Sequence, residues 1–356
     1  MRRRRAISWE TWTEDIIKPG QDDVTEVVDF LRSIGLGYDP HPDVIVVIRT
    51  ASGAIAACGS LAGKVIKHLG VAPDLRESGL VTRVFDRLYR FASDVGHEKV
   101  FAFTTPASAQ LLEGLGFRRV EGTSEAVLLE FVPPGVRGIS EYLTQLGRLF
   151  DGRGRAGAIV MNANPFTLGH LHLATFAASE CKRVCIFVVS EDRSVFPTSV
   201  RVKLIRAGTE SLGNVTVIEG GDYIISQATF PLYFLRQPDR AVHVQASLDA
   251  AIFARRIAPA CGIAARFVGE EPYDPTTQTY NQAMSEVFTP AGIALRIIPR
   301  LEQGGAAISA SSVRHALKVG DWDTIARLVP RTTLSFLRSR KAGGIIHRIR
   351  TSDTPH

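Results

Sequence analysis

The chain has 356 residues and a mass of 38.8 kDa, and 45% of its residues are apolar and 22% charged. At about 150 residues per domain the length reads as two domains, and the composition excludes wholesale disorder and collagen-like or linker-dominated chains. Lys and Arg number 42 against 36 Asp and Glu, a formal charge of +6, which suits anionic ligands but forms no basic stripe for nucleic acid.

Part of that excess sits at the ends, in Arg2 to Arg5 and in Arg338, Arg340, Lys341, Arg348 and Arg350, and reads as solvated termini. In chain order, residues 21–35 carry helical spacing at Val24, Val27, Val28, Phe30 and Leu31. Residues 43–50 and 53–61 are short β-like runs around a hairpin signal, Ala51-Ser52-Gly53. Residues 64–73 predict a third strand, and about 79–95 a helix with Leu80, Val84, Leu88 and Phe91 on its apolar face. A strand at 99–104, a helix at 108–115 and a strand at 125–131 close the first half. Pro133-Pro134-Gly135 is the strongest punctuation. The expected division is therefore 1–133, a linker with a helix at 134–156, a second domain at 157–340 and a basic tail at 341–356.

The second half alternates strands and helices. Strands are expected at 157–161, 184–190, 215–219, 241–246, 265–270 and 295–299, with helices at 169–179 and 198–210 between the first three. Continuous apolar strands between helices predict a parallel sheet covered on both faces, with ligands at the carboxyl ends of its strands. Cys58, Cys181, Cys185 and Cys261 read as buried free thiols, and the Cys181/Cys185 spacing has no second pair to make a zinc site. No apolar run approaches 18 residues and no signal-peptide core follows the first arginines, so the expectation is a reducing cytoplasm, with no membrane.

Two segments carry chemistry. In residues 157–177 a buried strand runs through Asn164 and Pro165 into a helix beginning near Thr167, Leu168, Gly169 and His170. A helix start offers unpaired N–H groups to phosphate, Gly169 lets an anion approach, and Thr167 and His170 lie on one turn. Residues 308–317 supply a second such start, with Ser309, Ser311 and Arg314 facing one way. Weaker candidates are Arg193, Arg201 and Lys203 as phosphate contacts, Glu270 and Glu271 at a strand's carboxyl end as nucleotide or metal contacts, and Tyr280 and Asn281 as pocket lining. His170 and His172 are two apart on a helix and are not expected to chelate. The Gly152–Gly157 run precedes a strand, the wrong context for a dinucleotide loop, and the P-loop-like Gly59–Lys64 lacks a residue and the Ser/Thr.

These segments resemble the HxGH nucleotidyltransferase superfamily over roughly 155–335, with Asn164 and Thr167 where the superfamily loop more often has Asp and His. Residues 188–197, 221–235, 248–263, 266–272 and 279–284 narrow the resemblance to the [citrate (pro-3S)-lyase] ligases. In the first half, residues 59–80 look like the strand and pyrophosphate loop of a GNAT-like acetyltransferase, with Arg76 and Gly79 as CoA-arm contacts and Val81 in place of a small residue. The resemblance implies an α/β chain: a GNAT-like fold followed by a Rossmann-like nucleotidyltransferase with a parallel sheet. It implies that ATP, with Mg²⁺, activates acetate as acetyl-AMP. The acetyl group then passes to the thiol of the CoA-like prosthetic group on the acyl carrier subunit of citrate lyase. His170 and Thr167 would be catalytic; Asn164, Gly169, Ser309, Ser311 and Arg314 would bind the phosphates; no protein side chain is assigned to a metal. Two other readings stay open: an adenylyltransferase for a phosphopantetheine-like or nucleotide substrate, and a non-catalytic nucleotide- or CoA-sensing partner.

Overall fold

The computed structural model describes residues 12–150, 155–190, 194–224, 230–235, 237, 240–270 and 275–351. Two compact units emerge: Met1–Tyr142 together with Thr229–Leu248, and Leu143–Ala228 together with Asp249–His356. The first unit is thus discontinuous in sequence, which a single cut after residue 133 does not anticipate. Among the described residues no helix is long and apolar enough to cross a membrane.

The first unit runs β1 (Thr13–Ile17), α1 (Thr25–Ser33), β2 (Val44–Arg49), β3 (Ile55–Ala62), β4 (Val65–Val71), α2 (Leu80–Asp94), β5 (Val100–Thr104), α3 (Ala109–Gly114), β6 (Arg118–Gly122) and β7 (Val127–Phe131). Its seven strands lie in the order β1-β2-β3-β4-β5-β7-β6. Every adjacent pair is antiparallel except β4 and β5. The amphipathic α2 buries Leu80, Val81, Val84, Phe85, Leu88 and Ala92 against this sheet, each large side chain contributing about 1.5–3 kcal/mol of transfer free energy. Gly59 belongs to that packing: a Cβ there would stand 2.8 Å from Val84 and 2.9 Å from Leu88. The P-loop-like run is therefore a sheet–helix contact.

β4 and β5 pair only at Val65–Phe101 and Ile66–Ala102, then part. Tyr233 fills the fork. Its hydroxyl donates to the Phe103 carbonyl (3.0 Å), and its ring meets the edge of His68 in β4 (centroids 4.9 Å apart). Phe230 packs on Phe103, and the Leu232 N–H donates to both carboxylate oxygens of Asp39 (3.1 and 2.9 Å). His68 is the keystone of this cluster. It is fully buried with φ +55°, a left-handed conformation costly for a residue with a Cβ. Its Nε2 accepts the Asp39 N–H (2.9 Å), so its proton sits on Nδ1 and is donated to Ser60 Oγ (2.7 Å).

The second unit contains β8 (Ala156–Met161), α5 (Leu168–Glu180), β9 (Val184–Val188), α6 (Thr198–Thr209), β10 (Val215–Glu219), α8 (Ala258–Cys261), β11 (Ile263–Gly269), α9 (Pro275–Phe288) and β12 (Ala294–Ile298); α4 (Ile139–Phe150) and α7 (Ala241–Ile252) span the unit boundaries. Helices α10 (Ala310–Val319), α11 (Trp322–Leu328), α12 (Arg331–Leu337) and α13 (Gly343–Thr351) follow and share an apolar cluster. The sheet is wholly parallel in the order β10-β9-β8-β11-β12. Its order reverses between β8 and β11, the position where doubly wound sheets open a crevice. One expected strand is absent: residues 241–246 belong to α7, which buries Val244, Gln245, Ala246, Leu248 and Asp249 through to Ile252. Burial on nearly every face removes the helical periodicity, and a short apolar run then looks like a strand.

Burial pushes the His68 imidazole down from 6.5 to about 3, with the neighbouring Lys67 charge adding to the effect. The folded ring is neutral where an unfolded one takes up a proton, so stability is complete above pH 6.5 and is lost as pH falls from 6.5 towards 3. Urea unfolding of the wild type should lose about 1.4 kcal/mol more per pH unit across that window than unfolding of His68→Asn. Parallel pH dependences in the two proteins would show that the buried ring does not carry this linkage.

Candidate active site

The carboxyl ends of β8, β11 and β12 and the first turns of α5 and α10 enclose a cleft of about 400 Å³. Its lining includes Asn162, Asn164, Thr167, Gly169, His170, His172, Arg300, Ser309, Ser311 and Arg314, and among the described residues it contains no Asp or Glu. Two helix N-termini and the guanidinium groups of Arg300 and Arg314 give this end of the sheet a positive character.

The start of α5 is locked by a reciprocal cap. Thr167 is the N-cap; its Oγ1 accepts the His170 N–H (3.4 Å), and its own N–H donates to His170 Nδ1 (3.0 Å). Nδ1 is thereby the acceptor nitrogen, and in the neutral ring the proton sits on Nε2. The ring stacks on the buried Phe166 (centroids 5.8 Å apart, 17° between planes). Desolvation, and next the positive charge of Arg300, press His170 down from 6.5 to about 4. His170 at neutral pH is thus an uncharged donor.

Gly169 has a steric reason to be glycine, because a Cβ would stand 3.0 Å from the Ile308 carbonyl. The two segments singled out in the sequence approach each other at this point. Ser309 caps α10 by accepting the Ser312 N–H (3.0 Å). Arg314, one turn in, donates to the Asn164 carbonyl (2.7 Å) and to Ser311 Oγ (3.1 Å). The sequence-derived set Thr167, Gly169, His170, Ser309, Ser311 and Arg314 therefore gathers around one cleft. Asn164 also lines it, but its Oδ1 accepts the Phe196 N–H (3.0 Å) and the residue is buried, so the side chain holds the neighbouring loop.

The weaker candidates fare differently. Arg201 is fully buried. It donates to the carbonyls of Phe196 (2.9 Å), Asn162 (2.8 Å) and Val189 (2.7 Å) and to Thr198 Oγ1 (2.8 Å), so it ties the exits of β8 and β9 together instead of meeting a phosphate. Lys203 is exposed on α6 and, like the exposed Glu270, is not among the cleft-lining residues. Arg193 and Glu271 lie outside the described residues. Tyr280 is also not among the cleft-lining residues; its hydroxyl donates to the buried Asp249 carboxylate (2.6 Å). In the first unit, Gly79 starts α2 with φ +76°, and Arg76 is exposed just before it. Sequence reasoning missed Arg300, whose Nε donates to the Glu270 carbonyl (2.8 Å). Its signal was position: it directly follows the strand expected at 295–299, at the carboxyl end where such sheets bind ligands.

Residues 156–337 match the model of the citrate lyase ligase C-terminal domain. The "[Citrate [pro-3S]-lyase] ligase" of Klebsiella pneumoniae is 37% identical over 318 residues, covering 88% of this chain and 92% of the relative. That of Escherichia coli K12 is 34% identical over 321 residues, covering 89% and 90%. Among solved structures, Thermotoga maritima TmcAL bound with alpha-thio ATP is 15% identical, covers 54% of this chain and 57% of that one, and has a TM-score of 0.34. On the extent of the sequence identity, the chain belongs to the [citrate (pro-3S)-lyase] ligase family.

Proposed function

We propose that the chain is an ATP-dependent acid–thiol ligase. Acetate attacks the α-phosphorus of ATP, the bond to the β-phosphate oxygen breaks, and pyrophosphate leaves. The thiol of the CoA-like group on the citrate lyase acyl carrier subunit then takes the acetyl group from acetyl-AMP and releases AMP. The observation that carries this reading is the cleft in which two helix N-termini, Arg314 and a neutral His170 converge. Family membership supplies the names of acid and client, and the reaction belongs in the cytoplasm, where the carrier thiol stays reduced.

Acetate is ionised at neutral pH and needs no base. The barrier lies in bringing a carboxylate to a polyphosphate, so the chain's task is placement and charge stabilisation. His170 Nε2–H and the first amides of α5 face charge growing on the α-phosphate. Arg314 with Ser309 and Ser311 at the start of α10 holds the departing pyrophosphate. Mg²⁺ enters with ATP as part of the substrate: among the described residues the cleft lining offers it no carboxylate, and no three His, Cys, Asp or Glu side chains cluster to hold a metal. The first unit, with Arg76 and Gly79 at the start of α2, receives the carrier's arm.

Pyrophosphate exchange into ATP tests the first step. His170→Ala should lower the acetate-dependent exchange rate by about 10²–10³, the effect of removing one preorganised donor. Because the free-enzyme ring titrates near 4, wild type and His170→Gln should show parallel kcat/KM profiles between pH 6 and 8. A break near 6.5 present only in the wild type would mean that the imidazolium is the working form. Exchange driven by phosphopantetheine and not by acetate would replace this reading with that of a plain adenylyltransferase.

Gly169→Ala tests the joint between the two helix starts. The added methyl must push the Ile308 carbonyl away by a few tenths of an ångström, so exchange should fall by about threefold to tenfold, less than the 10²-fold cost of a full ångström, while the melting temperature stays close to that of the wild type. Unchanged exchange would show that the approach at Ile308 does not set the geometry.

A further inference from the structure

A glycine within a helix is unfavourable relative to alanine and calls for a reason. Gly208 lies in the last turn of α6, and its reason is a side chain from another element. A Cβ there would stand 2.4 Å from Cε1 and 2.9 Å from Cδ1 of Phe166, in the loop between β8 and α5. Phe166 is fully buried, so its ring has little room to retreat. The same ring lies nearly parallel to the imidazole of His170, with centroids 5.8 Å apart and 17° between the planes. One aromatic side chain therefore joins a notch in α6 to the donor in the cleft.

The notch does not act alone. Arg201 and Gly208 are seven residues apart on α6, nearly two full turns, and so face the same way. Arg201 donates to the Asn162 carbonyl at the start of the loop (2.8 Å), and Gly208 receives Phe166 near its end. Between these points Ala163 has φ +52°, a left-handed conformation that a residue with a Cβ keeps only where its surroundings impose it. Helix α6 thus holds the loop twice, once by hydrogen bond and once by shape, and the second hold is the one that meets His170.

The imidazole needs that second restraint. The Thr167 N–H donates to Nδ1 (3.0 Å), but a single hydrogen bond leaves a ring free to tilt about it. A parallel aromatic face removes this freedom and keeps water from one side of the ring. This inference rests on the proposed ligase reaction, in which Nε2–H faces the α-phosphate. We propose that Phe166 and Gly208 are positioning residues for His170: the glycine makes the slot that seats the Phe166 ring, and the face of that ring sets the plane of the imidazole. Neither residue touches substrate. The charged or titratable groups around the imidazole are His172 on α5, Arg300 after β12 and Arg314 on α10, which share its cleft, and Arg201 on α6. Substitutions at 166 and 208 replace none of them.

The experiment joins acetate-dependent pyrophosphate exchange to a pH titration of the protein by NMR, with labelled histidine and the His170 signal assigned by its loss in His170→Gln. In Gly208→Ala the Phe166 ring must move by about an ångström to restore ordinary contact, so kcat should fall by about 10- to 100-fold while the KM for ATP stays within about twofold. In Gly208→Ala/Phe166→Leu the smaller side chain relieves the clash. The melting temperature should recover relative to Gly208→Ala, but kcat should not, because the aromatic face is gone. Between pH 5 and 8 the wild-type ring should stay neutral, since it titrates near 4. In Phe166→Leu its midpoint should rise by about one pH unit or more as water reaches the ring, and a titration should enter that window. A lowered melting temperature with wild-type kcat in Gly208→Ala would mean that the pair only fills the core, and would overturn the proposal. So would an unchanged His170 titration in Phe166→Leu. The spectra show in the same samples that the variants are folded. Absence of acetate-dependent exchange in the wild type would be the failure of the ligase reading, whereas the titration needs no substrate and still reads the hold on His170.

Discussion

The chemistry of the cleft depends on the reciprocal cap at the start of α5. A helix start leaves main-chain N–H groups without partners, and here one residue pair solves two problems together. Thr167 satisfies the N–H of the third helical residue, while its own N–H satisfies Nδ1 of that residue's ring. The second bond fixes the tautomer of His170, and burial keeps the ring neutral. A charged imidazolium would lose the acceptor at Nδ1 and with it the cap. Structure and reactivity are thereby coupled: the same hydrogen bond that ends the helix correctly leaves Nε2–H as the donor. The Thr167 hydroxyl next to Nδ1 (2.9 Å) completes the cap without adding a second titrating ring.

Around that cap the cations are sorted by burial. Arg201 spends its guanidinium on three carbonyls and a hydroxyl. A buried charge is tolerable only when its donors are met, and meeting them here fastens the loops that follow β8 and β9. Arg314 is intermediate, joining the Asn164 carbonyl to α10 while lining the cleft. Arg300 lies at the opposite strand exit. Both Arg300 and Arg314 are anchored to main-chain carbonyls, which fix the direction of a guanidinium at the cleft.

The sequence made the strand–turn–helix at 157–177 and the serine-rich helix start at 308–317 legible, because both depend on local rules: a short apolar strand, a capping residue, a small residue where backbones meet. It could not separate Arg201 from Arg300. Both are arginines near a strand's exit, and only the fold decides that the helical one points inward to carbonyls and the other lines the cleft. Asn164 shows the same limit, since its loop position was readable but its acceptor role towards Phe196 depends on a contact 32 residues away. Residues 241–246 failed as a strand for a different reason: a helix buried on most sides has no polar stripe to reveal its period.

The division of the chain has a further consequence for assigning work to the first unit. A cut at 133 follows the strongest Pro-Gly punctuation, yet Phe230, Leu232 and Tyr233 belong to the fork between β4 and β5 and to Asp39. Removing residues 1–133 would expose two aromatic rings and a main-chain N–H that the native protein buries or pairs. It would also strip Tyr233 of the Phe103 carbonyl, so lost activity would report an unsatisfied, exposed segment as readily as a lost docking surface. Substitutions confined to exposed residues of the α2 start, such as Arg76, leave the fork intact. They can separate a role in receiving the carrier arm from a role in holding the chain together.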